Sequence, residues 1–389
     1  MFIGMEIFPK SLLVKLELRR HNNALRNLPI PNHLIDFASN DYLGFAHSES
    51  IFDKTHQFLL DRNIKKNGAT GSRLLSGNHN LYSEIEGMIA TFHQSESALI
   101  FNSGYDANVG FFSAVPQRND LILYDELCHA SIRDGIQLSN AKSYKFDHND
   151  LEDLEGKIKN LALKIKNQEV YIVTESVFSM DGDCPNLAAL ALLAEKYHCN
   201  LVLDEAHALG VFGENGQGLV QELQLQNKVF ARIITFGKSM GCHGAAILGS
   251  QNLKDYLVNF ARSFIYTTGL SPHSVATIFV AYSQMEEPNL QIKKLKENII
   301  FFNQKKQILG LKQIFVRSKS AIQSAIIPGN KNVKNIAKQI QEKGFDVKAI
   351  LSPTVPEGQE RLRICLHSYN TTEEISEVLV LLGNCVFSS

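Results

Sequence analysis

Short apolar runs separated by amphipathic stretches occupy the middle of the chain. Apolar residues recur at helical spacing in Leu81–Phe92 and in Leu187–Tyr197, so both segments are predicted to be helices. Runs that are apolar throughout and of strand length are typical of a mostly parallel sheet with helices on both faces. Six such runs occur: Ala98–Phe101, Leu121–Tyr124, Val170–Thr174, Leu201–Leu203, Ile233–Phe236 and Ala245–Leu248. The pattern therefore predicts an α/β fold.

The pattern changes near Ser274, where a long helical stretch begins and continues toward Leu309. The elements predicted after it are a strand over Ser324–Pro328, a helix near Val333–Lys343, a strand over Arg361–Leu366 and a helix over Thr372–Leu382. This alternation indicates a smaller α+β domain. The charged start of the chain, Ser11–Arg26, predicts one further helix. We expect an N-terminal segment over residues 1–45, a large domain over 46–280 and a small C-terminal domain over 281–389.

Composition narrows the classes of function. The chain has 389 residues, of which 44% are hydrophobic, and its formal net charge of -1 favours neither a nucleic acid nor a membrane as partner. The six cysteines form no C-x-x-C pair and no zinc-like spacing, which predicts reduced thiols, a cytoplasmic location and no metal site. The N-terminus lacks the apolar stretch of a signal peptide, and no apolar run approaches the roughly 20 residues of a membrane span.

Two predicted strands end in polar residues that could share one site. One strand is followed by Asp204 and His207; the next carries Thr235 near its end and is followed by Lys238. Open α/β sheets bind ligands at the carboxyl edge of their strands, so these side chains would meet in one crevice. The set suits pyridoxal 5′-phosphate (PLP). That cofactor needs an amine for its aldehyde, a carboxylate beside its ring nitrogen, and donors for its phenolic oxygen and phosphate.

Each of these residues has a simpler explanation when it is taken alone. An aspartate after a strand is usually a helix N-cap, a lysine after a glycine is usually exposed to solvent, and a lone histidine is usually a polar neighbour. What favours a site is their joint order, in which a strand is followed by Asp-x-x-His and a later strand carries Thr-x-x-Lys.

Seven segments, in this order, resemble the α-oxoamine synthases, a family of fold-type I PLP enzymes. They are Phe37–Gly44, Gly71–Asn78, Asn102–Tyr105, His129–Ser131, Glu175–Asp183, Asp204–His207 and Thr235–Lys238. Each segment is a weak signal by itself, and the complete ordered set is a strong one. The resemblance implies a PLP-dependent transferase with a mostly parallel, helix-covered sheet, a smaller C-terminal α+β domain and a homodimer as the working unit.

The resemblance also implies roles around the ring of the cofactor. Lys238 matches the family's Schiff-base lysine, which later transfers protons, and Asp204 matches the partner of the ring nitrogen. His207 matches the group at the phenolic oxygen, with Ser179 near it. His129 matches a histidine that stacks over the ring. We therefore expect these residues to surround the reacting part of PLP.

A second group matches positions that hold the phosphate. Gly104 and Tyr105 match the backbone that cradles it, and Thr235 adds a hydroxyl. Thr267 and Thr268 match a segment that the family donates to the phosphate of the neighbouring subunit. This match is the reason why a homodimer is expected.

A third group matches positions that bind the amino-acid substrate. Arg363 matches an arginine that pairs with the substrate carboxylate, and Asn40 matches a substrate-contacting position. Arginine suits this role because its planar fork makes two parallel hydrogen bonds to a carboxylate. Arg361 lies two strand positions away and faces the same side, so spacing alone does not choose between the two arginines. Arg26 is a further candidate.

The resemblance implies condensation of an amino acid with an acyl thioester of CoA or acyl carrier protein, with loss of CO2. The segments Gly71–His79, Phe178–Asp183 and Pro353–Gly358 are most like the members that use L-alanine and a pimeloyl thioester in biotin synthesis. Three other members remain alternatives: 2-amino-3-ketobutyrate CoA ligase, 5-aminolevulinate synthase and serine palmitoyltransferase. A fold-type I aminotransferase also remains open, whereas the presence of Lys238 disfavours a silent partner subunit. The chain departs from the family pattern at Ser176, Cys242 and His243.

Overall fold

The computed structural model describes residues 8–28, 33–161, 168–286 and 290–387. Its helices are α1 (Lys10–His21), α2 (Glu49–Asp61), α3 (Asn80–Phe92), α4 (Gly104–Ala114), α5 (Ala130–Gln137), α6 (Leu151–Leu161), α7 (Leu187–Lys196), α8 (Leu219–Glu222), α9 (Gln251–Phe260), α10 (Arg262–Ile265), α11 (Pro272–Glu286), α12 (Leu290–Ile308), α13 (Asn330–Gln341) and α14 (Thr372–Phe387). Its strands are β1 (Ile35–Asp36), β2 (Ser97–Phe101), β3 (Leu121–Asp125), β4 (Lys142–Phe146), β5 (Val170–Glu175), β6 (Asn200–Asp204), β7 (Ala231–Thr235), β8 (Ala245–Gly249), β9 (Ile322–Ile326), β10 (Phe345–Asp346), β11 (Lys348–Ile350) and β12 (Arg361–Cys365).

A seven-stranded sheet lies at the centre of the molecule, in the order β2-β8-β7-β6-β5-β3-β4. Neighbouring strands from β4 to β7 pair in parallel, and β8 runs antiparallel to both β7 and β2. The register sets Glu175 of β5 beside Asp204 of β6, and Asp204 beside Ile233 of β7. The carboxyl ends of β5, β6 and β7 are therefore adjacent, and ligands of such sheets bind at this edge.

Both faces of this sheet are buried. Because side chains alternate along a strand, Leu121 and Leu123 of β3 pack into one apolar cluster and Ile122 packs into another. The first cluster includes residues of α3, α7 and α11, and the second includes residues of α4, α5 and α9. Apart from the exposed edge strand β4, the strands are largely apolar because neither face of the sheet contacts water.

The last third of the chain builds a smaller sheet in the order β11-β12-β9, with antiparallel pairing and with α13 and α14 beside it. The N-terminal segment joins this part of the molecule. Strand β1 pairs with β10 through Ile35 and Phe345, and the Cys365 N–H donates to the Phe37 carbonyl at 2.8 Å. Residues close to the two ends of the chain are therefore held together.

The predicted architecture is confirmed, and the differences from it have local causes. Helix α1 ends at His21 rather than near Arg26, because Asn23 takes a left-handed conformation with φ 52°. Strand β4 was not predicted, since it lies at the edge of the sheet and its first four residues are exposed. The long helical stretch after Ser274 consists of α11 and α12; the residues between them lie outside the described part of the chain. The expected domain boundaries stay a prediction.

Candidate active site

Asp204 is the last residue of β6, and its carboxylate lies at the carboxyl edge of the sheet. The side chain is buried, with Oδ2 accepting from Asn108 Nδ2 at 2.8 Å and Oδ1 accepting from the Ala206 N–H at 2.8 Å. A carboxylate has about four acceptor positions, so two hydrogen bonds leave it able to accept another. These contacts fix the orientation of Asp204 and leave it free to bind a further N–H group.

Lys238 follows β7 and lies within electrostatic range of Asp204. Burial lowers the pKa of Lys238 to about 8. The carboxylates of Asp204 and Glu175 oppose this shift, and the charge of Arg363 adds to it. A substantial fraction of this amine is therefore neutral near pH 8. The neutral form is the one that attacks an aldehyde or removes a proton.

Glu175 ends β5 beside Asp204 and was not singled out from the sequence. It is buried, and its Oε1 accepts from the His129 N–H at 2.6 Å. Burial, reinforced by the neighbouring charge of Asp204, raises the pKa of Glu175 to about 8. Two carboxylates on adjacent strands do not both ionise readily, and Glu175 therefore carries a proton near neutral pH.

His129 precedes α5 and caps it. Its Nδ1 accepts from the Ser131 N–H at 3.2 Å and lies 2.7 Å from Ser131 Oγ. Asn108 continues the chain of contacts, since its Nδ2 lies 3.0 Å from Ser131 Oγ and also binds Asp204. Burial and the charge of Lys238 lower the pKa of His129, although Asp204 opposes them. His129 is therefore both a helix cap and a neutral ring beside Asp204 and Lys238.

His207 follows β6 and is buried. Its Nδ1 lies 2.7 Å from the hydroxyl of Tyr42, and this hydroxyl is 3.1 Å from Asn40 Oδ1. Burial lowers the pKa of His207 well below its ordinary value, and the charges of Lys238 and Arg363 lower it further. The ring is therefore neutral and carries one proton, on one of its two nitrogens.

Arg363 and Asn40 adjoin His207 from the small sheet and the N-terminal segment. Arg363 Nη2 donates to Asn40 Oδ1 at 2.9 Å, and its Nε donates to the Ser179 carbonyl at 2.8 Å. Both acceptors are uncharged. Arg361, by contrast, forms a buried ion pair with Asp181. The structure thus separates the two arginines that the sequence left equivalent, and Arg363 is the one without a carboxylate partner among the described residues.

The N-terminus of α4 forms the end of the crevice where a phosphate would bind. Ser103 caps this helix, accepting from the Asp106 N–H at 3.0 Å, and the first helical residues are Gly104 and Tyr105. A Cβ placed on Gly104 would lie 3.5 Å from Thr235 Oγ1, so the Thr235 hydroxyl lies beside this turn. The first N–H groups of a helix lack intrahelical acceptors and readily bind an anion.

Thr267 and Thr268 lie next to this end through Asn102, whose Nδ2 donates to Thr267 Oγ1 at 3.2 Å and to the Thr268 carbonyl at 2.5 Å. Arg26 is exposed, and its Nη2 donates to Thr354 Oγ1 at 3.3 Å. No contact within the described residues links Arg26 to Arg363 or Asn40. Its role in binding substrate therefore stays a prediction.

The residues at which the chain departs from the family pattern occupy distinct settings. Ser176 is buried, and its backbone N–H donates to the Asp204 carbonyl at 2.9 Å. The Cys242 thiol donates to the Met240 carbonyl at 2.9 Å, and burial raises the pKa of this thiol to about 12. His243 is exposed. None of these residues interrupts the contacts of Asp204, His207 or Arg363.

The donor set of the crevice fits PLP. Asp204 can bind the protonated ring nitrogen, Lys238 can reach an aldehyde, and the α4 N-terminus with Thr235 can bind the phosphate. Among the described residues, no group of three or more His, Cys, Asp or Glu side chains could hold a metal ion. The helices described include none that is long and apolar enough to cross a membrane.

Comparison with known proteins agrees with a PLP site in this crevice. The model of the family "Aminotransferase class I and II" matches residues 32–380. The 8-amino-7-oxononanoate synthase of Emericella nidulans is 39% identical, with 95% of each chain covered. The crystal structure of the Francisella tularensis 8-amino-7-oxononanoate synthase is 29% identical, with a TM-score of 0.77 and with 91% of this chain and 98% of that one covered. A lysine-to-alanine variant of the serine palmitoyltransferase from S. paucimobilis with a bound PLP–myriocin aldimine has a TM-score of 0.87 at 23% identity, covering 97% of each chain, which is a likeness of fold.

The fold and the site define a fold-type I PLP-dependent transferase. The chain belongs to the aminotransferase class I and II family and, within it, to the α-oxoamine synthases. It is a PLP-dependent acyltransferase similar to 8-amino-7-oxononanoate synthase.

Proposed function

We propose that the protein condenses L-alanine with a pimeloyl thioester, giving 8-amino-7-oxononanoate, CO2 and the free thiol, as a step of biotin synthesis. The observation that carries the proposal is the 39% identity to an 8-amino-7-oxononanoate synthase over 95% of the chain. The carrier of the pimeloyl group is CoA or acyl carrier protein. The site geometry supports an amino-acid substrate, because Arg363 offers a cationic fork whose present partners are uncharged.

When bound, PLP supplies an electron-accepting ring that acidifies the Cα–H of the amino acid and accepts electrons as CO2 leaves. Lys238 would hold the cofactor when no substrate is bound, and its neutral amine would take the Cα proton of the bound amino acid. The pKa of about 8 suits this task, because a proton acceptor works best when its pKa lies near the working pH. Lys238 returns the proton at the end of the cycle.

Asp204 would hold the proton on the ring nitrogen. Glu175 beside it is protonated at neutral pH, because burial has raised the pKa of Glu175 to about 8, and so adds no second negative charge there. Asn108 and the Ala206 N–H orient the carboxylate. His129 would cover the ring, and its cap on α5 together with the Glu175 contact to its backbone fixes the position of the imidazole.

Arg363 and Asn40 bind the carboxylate of the amino acid, and Ser179 orients Arg363 through its carbonyl. A bidentate arginine–carboxylate pair holds the amino acid in one orientation relative to the ring. Gly104, Tyr105 and Thr235 hold the phosphate at the opposite end of the crevice. The two anionic groups are thus bound by different parts of the chain.

The working unit we propose is a cytoplasmic homodimer, in which Thr267 and Thr268 reach the phosphate of the neighbouring subunit. The loop over residues 71–77 packs against this segment, with the Gly269 N–H donating to the Gly71 carbonyl at 3.0 Å. Large apolar side chains on both pieces are exposed in the single chain, including Leu75 at 85% and Tyr266 at 72%. Such a cluster supports a protein–protein contact.

The function is tested by assaying the purified PLP-loaded protein with L-alanine, glycine and L-serine against pimeloyl-CoA, pimeloyl acyl carrier protein and shorter and longer acyl-CoA thioesters. Thiol and CO2 released in equal amounts with alanine and a pimeloyl thioester are the expected result. Lys238→Ala should release neither. Preference for another amino acid and acyl chain would assign a different member of the family, and pyruvate formed from alanine without thiol release would indicate an aminotransferase.

A further inference from the structure

A continuous series of polar contacts joins the proposed carboxylate-binding arginine to the proposed partner of the phenolic oxygen. It runs from Arg363 Nη2 to Asn40 Oδ1 at 2.9 Å, from Asn40 Oδ1 to the Tyr42 hydroxyl at 3.1 Å, and from this hydroxyl to His207 Nδ1 at 2.7 Å. Tyr42 is fully buried. Its hydroxyl must therefore satisfy its hydrogen bonds with buried neighbours, among which Arg363 is a further direct hydrogen-bond partner.

The hydroxyl proton of Tyr42 has two candidate acceptors. Burial raises the pKa of Tyr42 far above its ordinary value, so the hydroxyl keeps its proton. If Tyr42 donates to His207 Nδ1, the single proton of the neutral imidazole is on Nε2. If it donates to Asn40 Oδ1, His207 must donate from Nδ1, and Nε2 is left bare.

The geometry favours donation to His207. Asn40 Oδ1 already accepts from the cationic Arg363, a charge-assisted bond that reduces its demand for a second donor. The contact of Tyr42 with His207 is 2.7 Å, whereas its contact with Asn40 is 3.1 Å. Burial disfavours a second proton on the His207 ring, and so do the titratable groups that face it, which are Lys238, Arg363 and His129.

We propose that Tyr42 is a positioning residue: its hydroxyl donates to His207 Nδ1 and thereby holds His207 as the tautomer that donates from Nε2 to the phenolic oxygen of bound PLP. The inference rests on the proposed place of His207 beside that oxygen. Asn40 and Arg363 bias the tautomer, because they leave the Tyr42 proton to the imidazole. The groups that bind the substrate carboxylate thus also set the hydrogen-bond donor at the cofactor.

The test follows the visible absorption band of the bound cofactor as a function of pH, which requires neither alanine nor thioester. A donor to the phenolic oxygen stabilises its deprotonated form and lowers the pH midpoint of the band. Tyr42→Phe, which removes one oxygen atom, should raise this midpoint by up to about one pH unit, the size expected for loss of one hydrogen bond. His207→Asn should raise it as well.

The decisive variant is the double substitution. If Tyr42 acts through His207, adding Tyr42→Phe to His207→Asn should produce no further shift of the midpoint. Additive shifts would overturn the proposal, as would an unchanged midpoint in Tyr42→Phe. An unchanged midpoint in His207→Asn would overturn both the proposal and the proposed contact of His207 with the cofactor, whereas failure of the pimeloyl assay alone would leave this result intact.

If Tyr42→Phe does not fold, the unsubstituted holoenzyme still decides the question. Imidazole ¹⁵N chemical shifts distinguish a protonated ring nitrogen from a bare one, and His207→Asn assigns the signal. A proton on Nε2 supports the proposal. A proton on Nδ1 with Nε2 bare would overturn it.

Discussion

Arg361 and Arg363 lie two positions apart on β12 and face the same side of the strand, yet only Arg361 has a charged partner among the described residues. Arg361 is neutralised by Asp181, and Arg363 contacts the carbonyl of Ser179 and the amide oxygen of Asn40. An anion that enters the crevice therefore finds the charge of Arg363 uncompensated. This difference leads to the first prediction.

Arg363→Ala should retain the cofactor, because none of the contacts proposed for PLP involves Arg363. It should weaken the binding of alanine at least about tenfold, since a charged hydrogen bond contributes about 1.5–3 kcal/mol. Arg363→Lys should restore only part of the affinity, because an ammonium lacks the planar fork. Spectral titration with alanine measures both variants. Arg361→Gln is the control: it should lower the melting temperature and leave the affinity unchanged. The opposite pattern would assign the carboxylate to Arg361.

Asp204→Asn and Glu175→Gln form a matched pair on adjacent strands. Asp204→Asn removes the charge beside the ring nitrogen and should reduce kcat by about tenfold to a hundredfold. Glu175→Gln should retain most activity at pH 7, because the raised pKa of about 8 already keeps Glu175 protonated there and Gln preserves the acceptor for the His129 N–H. Steady-state rates at pH 7 decide. Equal losses in the two variants would show that Glu175 acts as an ionised carboxylate.

Lys238 should control the pH dependence of cofactor capture. Its pKa is lowered to about 8, so the neutral amine is mostly lost below that pH and mostly present above it. Protein freed of PLP should therefore take up the cofactor at a rate that rises with pH and levels off above about 8. Stopped-flow absorbance measures this rate. A rate that still rises steeply at pH 10 would indicate an ordinary, solvated lysine.

His148 should make stability depend on pH outside the active site. Burial by itself lowers the pKa of His148. The hydrogen bonds to Asp125 and Asp183 outweigh this effect and raise the pKa to about 10. An unfolded histidine titrates near about 6.5, so this stabilisation is complete below that pH and is lost as pH rises toward 10. His148→Gln should lower the melting temperature most below pH 6.5 and little near pH 10. The control His243→Gln, at an exposed position, should follow the unsubstituted protein. A uniform decrease across this range would contradict the ion-pair explanation.

The dimer can be tested by mixing two inactive variants. One variant carries Lys238→Ala, and the other carries valine in place of both Thr267 and Thr268. If the threonines serve the neighbouring subunit, then in a mixed dimer the first chain supplies intact threonines to the site of the second, which has an intact Lys238. Random mixing then gives intact sites at about one quarter of the positions, and activity should return to about that fraction. Mixing Lys238→Ala with the unsubstituted protein checks that subunits exchange. No recovery despite exchange would place the threonines at the site of their own chain.

The sequence predicted the parts of this molecule that rest on local patterns. Uniformly apolar runs marked the strands of the central sheet, and the order of Asp204, His207, Thr235 and Lys238 marked its carboxyl edge. Strand β4 escaped because an exposed edge strand carries no apolar run. The pattern of apolar residues therefore indicates which segments are buried more directly than it indicates which segments are strands.

Residues that act through distant contacts were not predictable in the same way. Asn108 became significant only when the structure placed it 2.8 Å from Asp204, across 96 residues of sequence. Tyr42 belonged to a recognised segment, but its partner His207 is 165 residues away. The local sign in the sequence was that Asn108 is a polar residue on the buried side of helix α4.

Pairing between the two ends of the chain has a consequence for synthesis. A ribosome makes Asn40 early and Arg363 close to the end of the 389 residues, yet their contact forms the proposed carboxylate site. The residues proposed to hold PLP, from Gly104 to Thr268, all precede Arg363 in the chain. The nascent protein can therefore assemble its cofactor half before the amino-acid pocket exists. A chain interrupted before β12 would lack that pocket, and any PLP that it held would have no pocket to receive the amino acid.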